Sequence, residues 1–218
     1  MLAAMRWLVY GCRRGDSLVF LYSGHGSQLV DTSNDELDGY DETLCPLDYK
    51  TNGMISDDEV HATIVQPLPV GVQLHAFIDA CHSGSSLDLP YVCKLNRNGS
   101  WQWETYSRVH KKTSGGLAIC FSGCDDNQTS SDTSAFTGDT ITGAMTFCFI
   151  RAVESAPDIT YGCMLHGMRM AIREANTGTG IGYPIACVLR KVFRTGLVQE
   201  PQLSSSDMFD IYQRSFIL

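Results

Sequence analysis

The sequence predicts an α/β fold in which helices cover both faces of a mostly parallel sheet. Three short apolar runs, at 17–22, 72–80 and 117–122, have the length and composition of buried strands. Segments with helical periodicity alternate with these runs along the chain. The 218 residues are 44% hydrophobic and 18% charged, so we expect one domain with a full core over 1–218. In such a sheet, functional side chains gather where the parallel strands end.

Helices are predicted at four places. The first opens the chain and ends near Gly15, because five apolar residues recur at helical spacing: Leu2, Met5, Leu8, Val9 and Cys12. The second begins at Ser56, where Glu59 three residues on completes a capping box, and runs to about Gln66. Helical periodicity also covers 141–156 and 161–175.

The remaining segments have the composition of loops. We expect an acidic loop over about 28–55, an irregular segment over 92–115 with a turn at Asn98-Gly99, and a polar loop over 125–139. The chain from Pro201 onward is also polar and predicted as a loop, and 184–192 is ambiguous.

Charge and composition exclude several classes of protein. The net charge is −8, with 24 acidic against 16 basic residues, which argues against a nucleic-acid partner. No apolar run approaches the roughly 18 residues of a membrane span. The nine cysteines are odd in number, and the N-terminal residues do not have the pattern of a signal peptide. We therefore expect free thiols in a reducing, cytoplasmic compartment.

Acidic residues are concentrated in one stretch of the chain. Ten of the 24 lie between Asp31 and Glu59, where Lys50 is the single basic residue. Carboxylates are the ligands that calcium prefers, so this stretch is a candidate cation site, although a solvated acidic loop is the alternative. The spacing does not match an EF-hand, so any site has to be assembled from distant segments.

The main chemical signal is the pair formed by Cys81 and His25. Each follows a predicted strand, in Ser-Gly-His-Gly at 23–26 and Asp-Ala-Cys-His-Ser-Gly at 79–84. A thiolate attacks carbonyl carbon, and an imidazole removes the thiol proton and later protonates the leaving amine. The nearby glycines let a substrate backbone approach. The alternative is an inert buried cysteine and an ordinary loop histidine.

Asp79 lies two residues before Cys81, so both side chains share one face of the strand. A carboxylate beside the nucleophile is a candidate anchor for a basic substrate side chain. A structural hydrogen-bond acceptor is the other interpretation of the same spacing.

Several motifs in this order resemble the metacaspases, and most closely their calcium-dependent, protozoan (trypanosome-like) members. The motifs are YSGHGSQ at 22–28, DGYDETLCPLDY at 38–49, ISDDEV at 55–60, FIDACHSGSSLDLPY at 77–91, SGGLAICFSGCDDNQTSSD at 114–132 and PQLSSS at 201–206. The resemblance implies a caspase-like fold and a cytosolic cysteine endopeptidase that cleaves peptides after Arg or Lys. It also implies a functional monomer, and self-processing in the basic loop 94–112, at Lys111 or Lys112.

The resemblance assigns roles to individual residues. His25 matches the catalytic histidine and Cys81 the nucleophile, with the backbone amides of Gly26 and Cys81 as the oxyanion hole. Ser23 and Asp79 match the pocket for the basic side chain. The calcium ligands match Asp41, Asp57, Asp58 and Asp88, with Asp38 as an adjacent candidate.

Two departures from the family pattern keep alternatives open. The family's domain starts earlier, with a strand and a helix, so the chain is expected to be N-terminally truncated. The segment 176–199 is expected to be an atypical insertion. A non-catalytic, calcium-binding regulatory paralogue and an inactive gene fragment are therefore the alternatives to an active peptidase.

Overall fold

The computed structural model describes residues 1–34, 36, 39–80, 84–96, 98–124, 146, 149–150, 153–154, 159–177 and 200–218, with the backbone alone at 124, 171–177 and 200. Cys81 and Asp38, the predicted loop 125–139 and the ambiguous segment 184–192 lie outside the described residues. The same holds for nearly all of the predicted insertion over 176–199.

The described elements follow one another in this order: α1 (Leu2–Val9), β1 (Ser17–Ser23), β2 (His25–Val30), β3 (Tyr40–Cys45), α2 (Tyr49–Asn52), β4 (Ile55–Ser56), α3 (Asp57–Val60), β5 (Gln73–Asp79), β6 (Tyr91–Leu95), β7 (Trp101–Thr105), β8 (Leu117–Cys124), α4 (Tyr161–Thr177) and β9 (Glu200–Ser205). A π-helical turn at His61–Val65 continues α3.

A six-stranded sheet, in the order β1-β5-β8-β9-β6-β7, forms the centre of the fold. β1, β5 and β8 are parallel neighbours. β9 is antiparallel to both β8 and β6, so β6 runs in the direction of β8, and β7 returns beside β6. Four of the six strands therefore share one direction, and the predicted α/β fold with a mostly parallel sheet is confirmed.

The predicted acidic loop over 28–55 is wrong in large part. β2, β3 and β4 form a second, antiparallel sheet, in which His25 lies opposite Cys45. β3 could not be predicted from its apolar pattern, because two of its buried residues are Asp41 and Glu42. Carboxylates inside a strand remove the apolar pattern by which strands are predicted.

Two further loop predictions are wrong. The segment 92–115 contains the hairpin of β6 and β7, although its turn at Asn98-Gly99 is confirmed, with Gly99 at a φ of +85°. The segment after Pro201 contains β9, which lies between two strands. Its polar residues Ser204 and Ser205 are small enough to be buried there.

The helix predictions are confirmed where residues are described, except that α1 ends at Val9, short of the predicted end near Gly15, because Tyr10 takes an extended conformation. Met5 of α1 is buried, and the Ser56 hydroxyl accepts a hydrogen bond from the Glu59 amide at 3.3 Å, as a capping residue does. Leu165 and Met168 bury the inner stripe of α4. The predicted helix over 141–156 is described at five positions, which are helical.

The central sheet separates two hydrophobic cores. Successive side chains of β5 point to opposite faces of the sheet. Phe77 packs with Phe121 and Tyr161 in the core below α4, and Ile78 packs in the core beneath α1. Both cores hold the parallel strands from either face, so the ends of β1 and β5 are fixed against each other. No helix among the described residues is long and apolar enough to cross a membrane.

Candidate active site

The ends of β1 and β5 bring the two predicted catalytic segments together. The strands are parallel, Ser23 lies opposite Asp79, and the Gly24 amide donates to the Asp79 carbonyl at 3.2 Å. His25 follows Ser23 by two residues and begins β2, and in the sequence Cys81 follows Asp79 by two residues. Cys81 itself is not among the described residues, but the register fixes where its segment begins.

Tyr22 anchors the backbone of His25. Its hydroxyl donates to the His25 carbonyl at 2.7 Å and accepts from the Cys45 amide at 3.2 Å. Burial raises the pKa of Tyr22, so the hydroxyl keeps its proton for this bond. A Cβ at position 24 would lie 2.7 Å from the Tyr22 hydroxyl oxygen, which explains why glycine stands there.

Two glycines flank the predicted catalytic residues. Gly26 follows His25 in β2, opposite Leu44 in the antiparallel pair with β3. Gly84 follows Cys81 by three residues, and its backbone carbonyl accepts a hydrogen bond from the side-chain amide of Gln202 at 2.9 Å. Gln202 belongs to β9, so the sheet holds the segment after Cys81 from a strand that the sequence did not predict.

Asp79 is buried at the carboxyl end of β5, with 3% of its surface exposed. One of its carboxylate oxygens, Oδ2, accepts hydrogen bonds from the Thr146 amide and hydroxyl, each at 3.0 Å. Ser23, its partner across the ladder, is exposed. A small cavity adjoins Asp79 and is otherwise lined by Phe77, Ile78, Phe121, Thr146, Phe149 and Met168.

Asp57 lies in a cluster of three buried carboxylates with Glu36 and Glu42, and one oxygen of each lies within 4.8 Å of the other two. Its own oxygens accept from the Glu42 amide at 2.9 Å and the Asp58 amide at 2.8 Å. Burial, followed by the charges of Glu42 and Glu36, raises the pKa of Asp57 far above its usual range. A bound cation would relieve this repulsion, so the cluster has the chemistry of a metal site.

Asp58 and Asp88 are brought together by Lys111, whose ammonium forms ion pairs with both carboxylates. Asp41, the fourth predicted ligand, is buried in β3. Among the described residues the predicted set is thus divided: Asp57 lies with Glu36 and Glu42, and Asp58 and Asp88 lie around Lys111. Glu36 and Glu42 belong to the acidic stretch already considered as a cation site, but sequence reasoning did not single out either of them, or Lys111, because their contacts are made across the fold.

The parallel sheet, with a histidine segment and a cysteine segment leaving neighbouring strands, defines a caspase-like α/β domain. A crystal structure of protein GSU0716 from Geobacter sulfurreducens has the same fold, with a TM-score of 0.53 at 24% identity over 98% of this chain and 75% of that one. The family model described as "Metacaspase, peptidase C14 domain" matches residues 1–90.

Relatives extend the match along the chain. Metacaspase-1 of Arabidopsis thaliana is 55% identical over 100% of this chain and 62% of its own length. Metacaspase-3 of Arabidopsis thaliana is 50% identical over 99% and 58%, and Metacaspase-1 of Mycosarcoma maydis 37% identical over 97% and 57%. The chain belongs to the metacaspase family, and it spans about 60% of the length of these relatives. The predicted closeness to protozoan members stays a prediction.

Proposed function

We propose that the chain is a calcium-activated cysteine endopeptidase that cleaves peptides and proteins after Arg or Lys. The observation that carries the proposal is the parallel pairing of Ser23 with Asp79, which brings together the two strand ends that precede His25 and Cys81 in the sequence. Membership of the metacaspase family supports it, because the matching family model is described as a peptidase domain.

The proposed mechanism uses the Cys81 thiol and the His25 imidazole. The imidazole takes the thiol proton, and the thiolate attacks the carbonyl carbon of the scissile bond. The backbone amides of Gly26 and Cys81 donate to the oxyanion. The protonated imidazole then gives its proton to the leaving amine, which leaves a thioester on Cys81. A water molecule hydrolyses the thioester, releasing the acid and the free thiol.

Asp79 is proposed to select the basic side chain. The hydrogen bonds from Thr146 to its Oδ2 fix the orientation of the carboxylate. A guanidinium or ammonium then pairs with a buried charge that has little freedom to turn away, which favours recognition. Exposed Ser23, which lies opposite Asp79 in the ladder, is proposed to line the entrance to the pocket for the basic side chain.

Calcium is proposed to bind at Asp41, Asp57, Asp58 and Asp88. The chemistry of the donors supports this proposal, because carboxylate oxygens are hard ligands and Asp58 and Asp88 already hold a positive group. Asp57 lies with Glu36 and Glu42, so calcium would have to draw the two groups together. When bound, calcium would supply the charge that fixes β3, the start of α3 and the turn after the Cys81 segment to one another. Asp57 carries the crowded negative charge that such an ion relieves.

We further propose that the chain works as a monomer in the cytoplasm. Five described cysteines, Cys12, Cys45, Cys93, Cys120 and Cys163, are free thiols, which supports a reducing compartment. Size-exclusion chromatography with light scattering tests the monomer.

The function is tested by hydrolysis of a fluorogenic peptide that ends in Arg, with calcium or with a chelator. We expect turnover that requires both calcium and Cys81, so Cys81→Ala abolishes it. An equivalent peptide ending in Asp is the matched control and is not cleaved. Turnover that survives Cys81→Ala would overturn the proposal of a cysteine peptidase. Equal rates with and without calcium would overturn only the proposed activation by calcium. No turnover with a folded chain would favour the non-catalytic paralogue.

A further inference from the structure

Lys111 places a positive charge inside the acidic region of the proposed calcium site. Its ammonium pairs with Asp58, near the start of α3, and with Asp88, in the segment that precedes β6. Only 22% of the Lys111 side chain and 1% of the Asp88 side chain are exposed. One ammonium therefore joins two segments and neutralises a buried carboxylate.

We propose that Lys111 is the resident counter-cation of this site, and that calcium must displace its ammonium in order to bind. The inference rests on the proposed function, which assigns Asp58 and Asp88 to calcium. An ammonium donates its hydrogen bonds to the same carboxylate oxygens that calcium coordinates. The two cations compete for these oxygens, so each lowers the affinity of the site for the other.

The surroundings of the pair explain why a lysine is needed there. A carboxylate as buried as Asp88 is costly without a positive partner, so Lys111 stabilises the calcium-free fold. His61 is buried beside the pair, and burial, followed by the charge of Lys111, lowers its pKa to about 4. Lys111 itself supplies the positive charge that balances Asp58 and Asp88, through its ion pairs with both carboxylates.

Displacement also changes the accessibility of Lys111. The amine is held in ion pairs without calcium, and it is released when calcium takes the two aspartates. Lys112, the next residue, is exposed and has the same side chain. The chain thus offers a lysine that responds to calcium and an adjacent one that does not, and this contrast separates displacement from a general opening of the loop.

The first test measures amine reactivity in the full chain carrying Cys81→Ala, which prevents self-cleavage. The lysines are reductively methylated in a chelator or in saturating calcium and quantified by mass spectrometry. We expect methylation of Lys111 to rise about fivefold with calcium while that of Lys112 stays constant. Unchanged or reduced methylation of Lys111 in saturating calcium overturns the inference, whether or not any substituted variant folds.

The second test measures calcium affinity by titration calorimetry in the same background. We expect Lys111→Gln to bind calcium roughly tenfold more tightly and Lys112→Gln to bind as the parent does. Lys111→Arg keeps the charge and binds no more tightly than the parent, and Asp88→Asn loses binding. Without calcium, Lys111→Gln has a lower melting temperature, which calcium restores.

The outcomes separate the two proposals. Equal affinities for the parent and Lys111→Gln overturn the competition and leave the calcium site standing. No calcium binding by any variant overturns the calcium part of the proposed function, and the inference with it. The peptide assay on the chain with Cys81 intact tests the peptidase independently of both results.

Discussion

The residues around Asp79 show how a single buried carboxylate is held in place by its neighbours. The family resemblance assigned Asp79 and Ser23 to one pocket, and the parallel register of β1 and β5 makes them neighbours. Thr146 does not follow from the sequence, since 67 residues separate it from Asp79. The same limit applies to Gln202 and Gly84, which are 118 residues apart. Local motifs identify the groups proposed to react, and the tertiary fold supplies their supports.

Asp79→Asn removes the charge and keeps the shape of the side chain. The amide oxygen of the asparagine can accept both hydrogen bonds from Thr146, so the fold is expected to survive. If Asp79 binds the basic side chain, we expect kcat/KM for an Arg peptide to fall about 100-fold, chiefly through KM. Peptide hydrolysis over a range of substrate concentrations measures the two constants separately.

Thr146→Val is the matched control for this substitution. It removes the hydroxyl donor and keeps the carboxylate, so the expected rise in KM is smaller than for Asp79→Asn. A KM unchanged by Asp79→Asn, in a chain that melts at the parent temperature, would contradict the role of Asp79 in substrate binding.

Among the secondary-structure elements, strands with a clear apolar pattern could be predicted from the sequence, and strands without one could not. β1, β5 and β8 are parallel strands with apolar runs, and their sequences revealed them. β3 carries acids into the buried side of a small sheet, and β9 buries serines between β8 and β6. Both strands are stabilised by hydrogen bonds to strands that are distant in the sequence. Local strand propensity contains no information about these partners.

β9 is expected to matter for stability beyond its short length, because it joins two halves of the sheet. Leu203 lies opposite Phe121 of β8 and Cys93 of β6 and is fully buried. We expect Leu203→Ala to lower the free energy of unfolding by about 3 kcal/mol through the cavity it leaves. Urea denaturation measures this loss.

Met208→Ala serves as the control for Leu203→Ala. Met208 follows β9 and is 54% exposed, so its truncation is expected to cost less than about 0.5 kcal/mol. Similar losses for the two variants would show that β9 is not the joint between β8 and β6 that its hydrogen bonds indicate.

Across the whole molecule, the central sheet divides two cores that differ in their buried polar groups. The core below α4 contains His75, which is fully buried in β5. Its Nε2 lies 2.6 Å from the Tyr161 hydroxyl oxygen, and its ring packs against Tyr161 and Phe216. The guanidinium of Arg214 is the charged group that acts on it. A protonated imidazole is therefore unfavourable in this core.

The state of His75 connects the stability of the whole chain to pH. Burial, followed by the charge of Arg214, lowers its pKa from 6.5 to about 4. As the pH falls through 6.5, the imidazole takes up a proton in the unfolded chain but not in the folded chain. Proton binding therefore stabilises the unfolded state relative to the folded state. The contribution of His75 is complete above pH 6.5 and is lost progressively down to about pH 4. The difference between the pKa values of His75 in the unfolded and folded chains corresponds to about 3 kcal/mol of unfolding free energy.

We expect His75→Gln to flatten the loss of unfolding free energy between pH 6.5 and pH 4.5, measured by urea denaturation at several pH values. The variant is less stable than the parent at pH 7, because the contact with Tyr161 is altered, but the two curves converge in acid. His166→Gln is the control, since His166 is exposed on α4 and its replacement leaves the slope unchanged. Parallel curves for the parent and His75→Gln would show that the buried imidazole does not govern acid sensitivity. The loss would then have to come from other groups, among them buried His61, whose pKa is also lowered to about 4 by burial and by the charge of Lys111.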